Sequence, residues 1–293
     1  MPRPARITGE RPRRGATPDS LLALHDAGYR AVLERLGSGR VLDVGCGEGF
    51  ETLRFAGDGR EVLGVDYAAD ATAAARRVAR GAPGRAAVDS SPEGPAPVLA
   101  LAPVPALSVA QMDAASLGLA GGAFDAVCSS HLIEHFRDPS DHVAEVARVT
   151  ADTGTAFFLT PNAPADFENP FHLRLFGPGD LAGLLSEHFG DVRVEGVDAS
   201  ARVKADFAAR RAKARRFLRL DVLDLRHRIP RRWYVALYTR LLPLAYALVA
   251  GRQREDAPRI TAEDWFVTEL VDETTLVLFA VCRRPRRRPR RCT

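Results

Sequence analysis

The sequence is poor in cysteine, and the spacing of its few cysteines argues against small domains that are stabilised by disulfides or by bound metal. They form no CxxC pair and no Cys/His ligand spacing, which argues against a zinc-binding module and against a disulfide framework. We interpret them as buried or incidental thiols of a reducing compartment, in preference to a disulfide or metal role. The four are Cys46, Cys128, Cys282 and Cys292. The sequence predicts no metal site.

Long apolar runs are also missing. The N-terminal segment is rich in arginine and proline and has no apolar core, so no signal peptide is predicted and a cytoplasmic location is expected. The most apolar stretch, residues 233–249, contains Arg240 and Pro243 and barely reaches the length that spans a bilayer. We therefore predict no transmembrane helix.

Lysine occurs only at Lys204 and Lys213, so the net charge of +4 rests almost entirely on arginine. In a chain that is also rich in alanine, glycine and proline, this indicates a coding bias more than an adaptation to nucleic acid. The arginine-rich segment 283–293 is interpreted as a basic, disordered and solvated tail. Contact with anionic lipid or RNA is the alternative.

With 293 residues, 46% of them hydrophobic, the chain can bury a full core and is predicted to form one domain with insertions. Proline in 81–106 excludes regular structure there, whereas residues 200–265 have helical character. The predicted parts are a disordered arm over 1–16, a domain over 17–282, a proline-rich loop insertion over 81–106, a helical insertion or cap over 200–265, and the tail over 283–293.

The most informative stretch is Val41 to Phe50, an apolar run that ends in the closely spaced glycines Gly45, Gly47 and Gly49. Residues 51–56 follow with helical spacing, so the pattern predicts a strand, a tight loop and a helix. Glycine allows such a loop to adopt unusual dihedral angles and to approach a ligand without an intervening Cβ atom. A nucleotide-binding corner is expected here.

The residues around the glycines indicate which ligand this corner takes. A dinucleotide fingerprint needs its third glycine at position 50, where this chain has Phe50. Asp43 precedes the loop, where a carboxylate would repel a pyrophosphate but attract an ammonium group. The run D-x-G-x-G-x-G after a strand resembles the first motif of the class I S-adenosylmethionine-dependent methyltransferases, whose cofactor carries an ammonium and no phosphate.

Further motifs of that family follow in order. Asp66 ends the predicted strand 61–66, about twenty residues after the loop, where the family's acidic residue binds the ribose hydroxyls. Met112 and Asp113 match the family's x-D-A element beside the adenine, and Phe124-Asp125-Ala126-Val127 matches its fourth strand. The cofactor residues that the resemblance implies are Asp43, Gly45, Cys46, Gly47, Gly49, Asp66, Tyr67, Met112, Asp113, Ser130 and His131.

The resemblance also implies the fold. We expect an α/β, Rossmann-like seven-stranded sheet, mostly parallel with an antiparallel last strand, with helices on both faces and a helical insertion before the last strand. The apolar stripe between residues 19 and 36 predicts a helix ahead of the first strand. That helix either closes over the cofactor or simply packs on the sheet.

Chemistry is expected just after the fourth strand. The run Leu132 to Phe136 resembles the Glu-His element of small-molecule methyltransferases, which implies His135 as base or polariser and Glu134 as the residue that orients it. Alternatively, both only cap the helix that follows Pro139. His172 and Arg174 resemble an H-x-R-x-F element and are expected on the acceptor side.

We therefore expect a methyltransferase that uses S-adenosyl-L-methionine, releases S-adenosyl-L-homocysteine and O-methylates a small-molecule, glycan or lipid-linked acceptor. Residues 202–249 and the arginine tail are candidates for peripheral membrane contact. Nucleic acid is disfavoured as a partner, because Ser129-Ser130-His131-Leu132 replaces the Asp/Asn-Pro-Pro-Tyr/Phe motif of amino-methylating enzymes. The alternatives are an RNA methyltransferase, a catalytically idle binding module and a nicotinamide dehydrogenase.

Overall fold

The computed structural model describes residues 17, 19–81, 107–166, 171–218, 240 and 260–286. In this part of the chain, one eight-stranded sheet is flanked by five α-helices. The strands are β1 Gly39–Val44, β2 Arg60–Asp66, β3 Leu107–Gln111, β4 Phe124–Ser130, β5 Thr150–Pro161, β6 Phe189–Ala199, β7 Trp265–Thr268 and β8 Val277–Pro285. The helices are α1 Asp19–Leu33, α2 Ala69–Gly81, α3 Ser140–Val149, α4 Pro178–Ser186 and α5 Ala201–Leu218.

The strand order is β3-β2-β1-β4-β5-β8-β6-β7. Strands β1 to β5 pair in parallel, and β8 enters between β5 and β6 and runs antiparallel to both. This confirms the predicted Rossmann-like α/β sheet with its antiparallel last strand. The prediction of seven strands was wrong, because β7 adds an eighth strand that pairs antiparallel with the outer side of β6.

The expected insertions lie only partly within the described residues. Helix α5 gives residues 201–218 the helical character that was predicted, whereas residues 219–239 and 241–259 lie outside the description. The expected arm 1–16, nearly all of the proline-rich insertion 81–106 and the end of the tail, 287–293, also lie outside it. Strand β8 continues to Pro285, so the first residues of the expected tail belong to the sheet.

Alternation along the buried strands distributes the core over both faces of the sheet. In β1, Val41 belongs to the core cluster that includes residues of α1 and α5, and Leu42 belongs to the cluster that includes residues of α3 and α4. A strand that is covered on both faces usually has a continuous run of apolar residues. In β1 the residues from 41 to 44 are all apolar except Asp43. Helix α1 therefore packs on the sheet directly over the polar position of β1.

The helix predicted over 51–56 is a single 3-10 turn, Thr52–Phe55. Its backbone is confined between two glycines with positive φ, Gly49 at 80° and Gly57 at 109°. Ala56 is already extended, with ψ at 147°, so the helical turn ends at Phe55. The short turn still buries Thr52 and Phe55 beneath α1.

Among the described helices, none combines the length and apolarity needed to cross a bilayer.

Candidate active site

The polar residues singled out in the sequence lie at one edge of the sheet, where the parallel strands β1, β2, β3 and β4 end. The register aligns Val44 with Val65 and Ser129, and Asp66 with Gln111. Ligands of open α/β sheets bind outside this carboxyl edge. The structure therefore brings the loop after β1, the end of β2 and the loop after β4 to one region.

The glycine loop holds its shape through the backbone. Gly45, Gly47 and Gly49 all have positive φ, at 83°, 54° and 80°, a region that residues with a Cβ rarely adopt. The Gly45 and Cys46 N–H groups both donate to the carbonyl oxygen of Val65 in β2, at 2.8 and 3.0 Å. The side of Gly47 on which a Cβ would lie has no described atom within 4 Å, so space remains there for a ligand.

Asp66 connects this loop to the end of β2. One carboxylate oxygen accepts the N–H of Gly47 at 3.1 Å, and the other accepts the N–H of Ala68 at 2.9 Å. The side chain is buried. A carboxylate can accept several hydrogen bonds, including bonds from ligand hydroxyls. Asp66 therefore fixes the loop and also offers the chemistry expected of a ribose-binding acid.

Asp43 is fully buried beneath α1. Its Oδ2 accepts hydrogen bonds from the Tyr29 hydroxyl at 3.0 Å and from the Thr52 hydroxyl at 2.5 Å. Its Oδ1 has no hydrogen-bond partner among the described residues. Burial raises the pKa of Asp43 to about 6, although the hydrogen bonds from Thr52 and Tyr29 act against this rise. Asp43 therefore lies behind the loop, in the core.

The residues expected near the adenine surround the ends of β2 and β3. Tyr67 directly follows Asp66 and is 59% exposed. The backbone N–H of Met112 donates to the Asp66 carbonyl oxygen at 3.1 Å, and the exposed Asp113 accepts the Ala115 N–H at 2.9 Å. These contacts place both positions beside the acid at the end of β2.

Ser130 and His131 end β4 with two buried polar atoms that lack partners among the described residues, the Ser130 Oγ and the His131 Nε2. His131 has a φ of 51°, an uncommon value for a residue other than glycine. Buried polar groups are normally hydrogen-bonded, and backbone strain collects at functional sites. The pair therefore has the features of a ligand-binding position.

Glu134 is the buried charge of the site, with a fully covered side chain. Its Oε2 accepts the Thr160 hydroxyl at 3.0 Å, and its Oε1 lies 3.4 Å from Nδ1 of His131. Burial raises the pKa of Glu134, but contact with His131 and the charges of His135 and His172 outweigh burial and lower it to about 2. The carboxylate is thus held ionised inside the protein.

The neighbouring loop folds back onto the backbone of Glu134. The Leu173 and Arg174 N–H groups donate to the Glu134 carbonyl oxygen at 2.8 and 3.2 Å, which carries His172 to His135. The two imidazole rings meet edge to face, with centroids 5.3 Å apart. Arg174 places its guanidinium over the Phe176 ring, 5.1 Å from the centroid.

The structure brings Glu134 and His135 together, with ligand atoms within 4.8 Å of each other, and each side chain also has a further neighbour. The nearest imidazole to Glu134 Oε1 is that of His131, whereas Nδ1 of His135 bonds to the carbonyl oxygen of Phe171 at 3.1 Å. Burial works to lower the pKa of His172, but its ion pair with Asp166 at 2.8 Å and the charge of Glu134 outweigh burial and raise it.

Sequence reasoning missed several members of this region. From α1, His25 packs against His131 with the two rings tilted at 55° and their centroids 4.4 Å apart. Burial and the nearby His131 lower the pKa of His25 well below its usual range, against the opposing charge of Glu134. His25 and Tyr29 are one helical turn apart, and two polar residues at that spacing within an apolar stripe were the available signal. Asp166 and Thr160 left no such signal.

Comparison with known proteins identifies relatives of this arrangement. Residues 42–158 match the family model described as "Methyltransferase domain". A probable S-adenosylmethionine-dependent methyltransferase of Mycobacterium tuberculosis is 31% identical over 187 residues, covering 61% of this chain and 59% of the relative. A ubiquinone biosynthesis O-methyltransferase of Methylococcus capsulatus is 29% identical over 126 residues, covering 42% of this chain and 44% of that protein.

Solved structures agree at the level of the fold. A Thermotoga maritima structure described as an S-adenosylmethionine-dependent methyltransferase, a possible histamine N-methyltransferase, has a TM-score of 0.51 at 14% identity, with 90% of each chain covered. The chain spans about three fifths of the length of the Mycobacterium tuberculosis relative.

Proposed function

We propose that this chain is an S-adenosylmethionine-dependent methyltransferase that O-methylates a small-molecule, glycan or lipid-linked acceptor and releases S-adenosyl-L-homocysteine. The match of residues 42–158 to a methyltransferase-domain model and the 31% identity to a probable methyltransferase of this kind support the proposal. The observation that carries this proposal is the buried, ionised Glu134 between His131, His135 and His172, directly beyond the end of β4 and beside the glycine loop. A water-poor cluster of this kind suits the handling of an acceptor hydroxyl.

The residues at the carboxyl edge fit the cofactor on three observations. Space remains beside Gly47, Asp66 offers a carboxylate at the end of β2, and two buried polar atoms lack partners at Ser130 and His131. We assign cofactor binding to Asp43, Gly45, Cys46, Gly47, Gly49, Asp66, Tyr67, Met112, Asp113, Ser130 and His131.

In this assignment Asp66 accepts hydrogen bonds from the ribose hydroxyls, and Met112 and Asp113 lie against the adenine. Ser130 and His131 face the methionine end, while the buried Asp43 acts on the ammonium group through its negative field. When bound, the cofactor supplies a sulfonium methyl group, which an acceptor oxygen attacks while the carbon–sulfur bond breaks.

On the acceptor side, the hydrogen bonds fix how His135 can act. A carbonyl oxygen only accepts, so the contact with Phe171 places the proton of a neutral His135 on Nδ1 and the lone pair on Nε2. An imidazole in this tautomer can take a hydroxyl proton or polarise the hydroxyl. His172 and Arg174, which the same backbone loop carries, are assigned to acceptor binding.

The acceptor class draws support from one relative. The Methylococcus capsulatus relative is an O-methyltransferase of ubiquinone biosynthesis, and oxygen is the acceptor atom that a base such as His135 would serve. Membrane contact through 202–249 and the arginine tail stays a prediction, because most of those residues lie outside the described part of the chain.

The test uses methyl-labelled S-adenosylmethionine and a host extract separated into lipid, soluble glycan, small-molecule, RNA and protein pools. We expect the purified protein to label the lipid, glycan or small-molecule pool, with the label attached as a methyl ether or ester. Label in RNA would replace this proposal with the RNA alternative. Binding of S-adenosylhomocysteine without label in any pool would favour the idle binding module.

A further inference from the structure

Glu134, His135 and His172 form a cluster whose chemistry extends beyond proton transfer. Each offers a ligand atom, and the three atoms lie within 4.8 Å of one another. They come from two separate segments, the 3-10 turn Ile133–His135 and the loop after residue 170. Such a cluster of two imidazoles and one carboxylate is the donor set that catalytic proteins use for divalent transition metals.

Both imidazoles are already oriented in the way metal-binding histidines are. Nδ1 of His135 bonds to the backbone carbonyl of Phe171 at 3.1 Å, and Nδ1 of His172 bonds to the carboxylate of Asp166 at 2.8 Å. A metal-ligating histidine almost always donates its other ring N–H to a carbonyl or carboxylate, which fixes the tautomer and ring angle. The contacts of Phe171 and Asp166 thus direct Nε2 of each ring to the role of ligand.

Glu134 supplies an independent indication. Its side chain is fully covered, Oε2 accepts from Thr160, and Oε1 faces Nδ1 of His131 at 3.4 Å. A buried carboxylate is costly unless positive groups surround it, and a cation beside it lowers that cost. The ligand atoms of the two imidazoles lie within 4.8 Å of this carboxylate.

We propose that Glu134, His135 and His172 bind one divalent transition-metal ion, of the zinc, cobalt, manganese or iron type. The two nitrogen donors favour such ions over magnesium and calcium, which prefer oxygen ligands. Three protein ligands leave coordination positions open, as in catalytic metal sites. The earlier expectation of no metal rested on sequence spacing, and 37 positions separate His135 from His172 in the chain.

This inference rests on the proposed function and deepens it, because the open positions are where an acceptor hydroxyl would bind. A hydroxyl bound to such an ion would have a lowered pKa, so it could release its proton to bulk water without a protein base. His135 would then act as a ligand of the ion, and the ion would polarise the acceptor hydroxyl. Nε2 of His135 would bind the ion and would not serve as a base. Asp166 becomes a positioning residue that keeps His172 in its ligand tautomer.

Metal binding is measured on the full, untagged chain, first stripped with a chelator and then titrated with Co²⁺ while visible absorption is recorded. We expect one Co²⁺ per chain, displaced by Zn²⁺. Glu134→Gln, His135→Ala and His172→Ala should each weaken Co²⁺ binding by at least about tenfold. Asp166→Asn should weaken it less, since His172 remains present.

Two variants serve as matched controls. Asp138→Asn removes an exposed carboxylate close to the cluster in the chain, and His188→Gln removes a buried histidine between α4 and β6, outside the cluster. Both should bind Co²⁺ as the unaltered chain does. Absence of stoichiometric Co²⁺ binding by the unaltered chain would overturn the proposal, as would equal affinity in the cluster variants and the controls.

Titration of the same samples with S-adenosylhomocysteine separates this inference from the proposed function. The cluster variants should retain S-adenosylhomocysteine affinity while losing Co²⁺, which also shows that they are folded. Co²⁺ binding without any S-adenosylhomocysteine binding would support the metal site and contradict the methyltransferase proposal. S-adenosylhomocysteine binding without Co²⁺ would leave the proposed function standing and remove the metal.

Discussion

At the level of single residues, the Asp66 carboxylate accepts hydrogen bonds from the Gly47 and Ala68 N–H groups. In the proposed site it also accepts hydrogen bonds from the ligand. Its removal therefore loosens the glycine loop and deletes a charged hydrogen-bond acceptor. We expect Asp66→Ala to weaken S-adenosylhomocysteine binding at least about tenfold, which corresponds to about 1.4 kcal/mol. Isothermal titration calorimetry measures this.

The control for Asp66→Ala is Asp58→Asn, which removes an exposed carboxylate from the turn before β2. Asparagine tolerates the positive φ of 49° at that position, so the turn is preserved. Its affinity should equal that of the unaltered chain. Equal affinities for all three folded proteins would contradict the assignment of Asp66 to the ribose.

The raised pKa of Asp43 predicts that the stability of the folded protein depends on pH. Burial raises its pKa from 3.8 to about 6, and Tyr29, Thr52, Cys128 and Asp66 surround it. Because the folded state then binds more protons than the unfolded state between these values, the free energy of unfolding falls as pH rises from about 4 to about 6. Asp43 alone accounts for a fall of about 3 kcal/mol.

The measurement compares urea unfolding of the unaltered chain and of Asp43→Asn between pH 4 and 7.5. Asparagine does not titrate, and the other groups are common to both proteins. The stability of the unaltered chain relative to the variant should therefore decline across this interval and level off above it. Parallel pH profiles would show that Asp43 titrates normally in the folded protein.

Single residues of the site differ in how well the sequence alone predicts their position. Asp43, Asp66, Met112 and Asp113 are adjacent in space because parallel strands end at one edge, a property that motif order already implies. The meeting of His172 with His135 depends instead on two backbone hydrogen bonds from residues 173 and 174 to the Glu134 carbonyl oxygen. No local pattern predicts such a contact.

At the level of elements, α1 does more than cover the sheet. Arg30 in α1 donates to the carbonyl oxygens of Ala262 and Trp265 at 2.6 and 3.0 Å, which ties the helix to the start of β7. β7 has only four paired residues and one neighbouring strand. A short edge strand of this kind depends on such outside contacts.

We expect Arg30→Ala to accelerate amide hydrogen exchange across residues 262–268 while leaving β1 to β5 unchanged, because only β7 loses its anchor. Hydrogen–deuterium exchange with mass spectrometry follows this. Arg40→Ala is the control, since Arg40 is a largely exposed arginine at the start of β1. Unchanged exchange at 262–268 in Arg30→Ala would show that pairing with β6 alone holds the strand.

Elements differ in how well the sequence predicted them. The buried strands β1, β2 and β4 are apolar runs bounded by glycine or acidic residues, so their pattern is strong. β7 spans Trp265–Thr268, too short for any periodicity, and it follows residues whose composition is helical. The turn Thr52–Phe55 has helical spacing but ends at the extended Ala56.

For the whole molecule, ligand binding to the folded state must raise stability. S-adenosylhomocysteine at a hundred times its dissociation constant should add about 2.7 kcal/mol to the free energy of unfolding. For a domain of this size, that raises the melting temperature by roughly 5 to 10 °C. Calorimetry with NAD at equal concentration is the control, because Phe50 breaks the dinucleotide pattern. A shift with NAD and none with S-adenosylhomocysteine would favour the dehydrogenase alternative.

The position of β8 has a consequence for the order in which a newly made chain can assemble. β5 and β6 do not pair with each other, because β8 lies between them in the sheet. During synthesis, β6 emerges from the ribosome long before β8, and the interval amounts to roughly ten seconds at common elongation rates. Over that interval the edge of β5 stays open, and β6 has no partner on that side. The connection between β5 and β6 in the nascent sheet thus waits for the synthesis of β8.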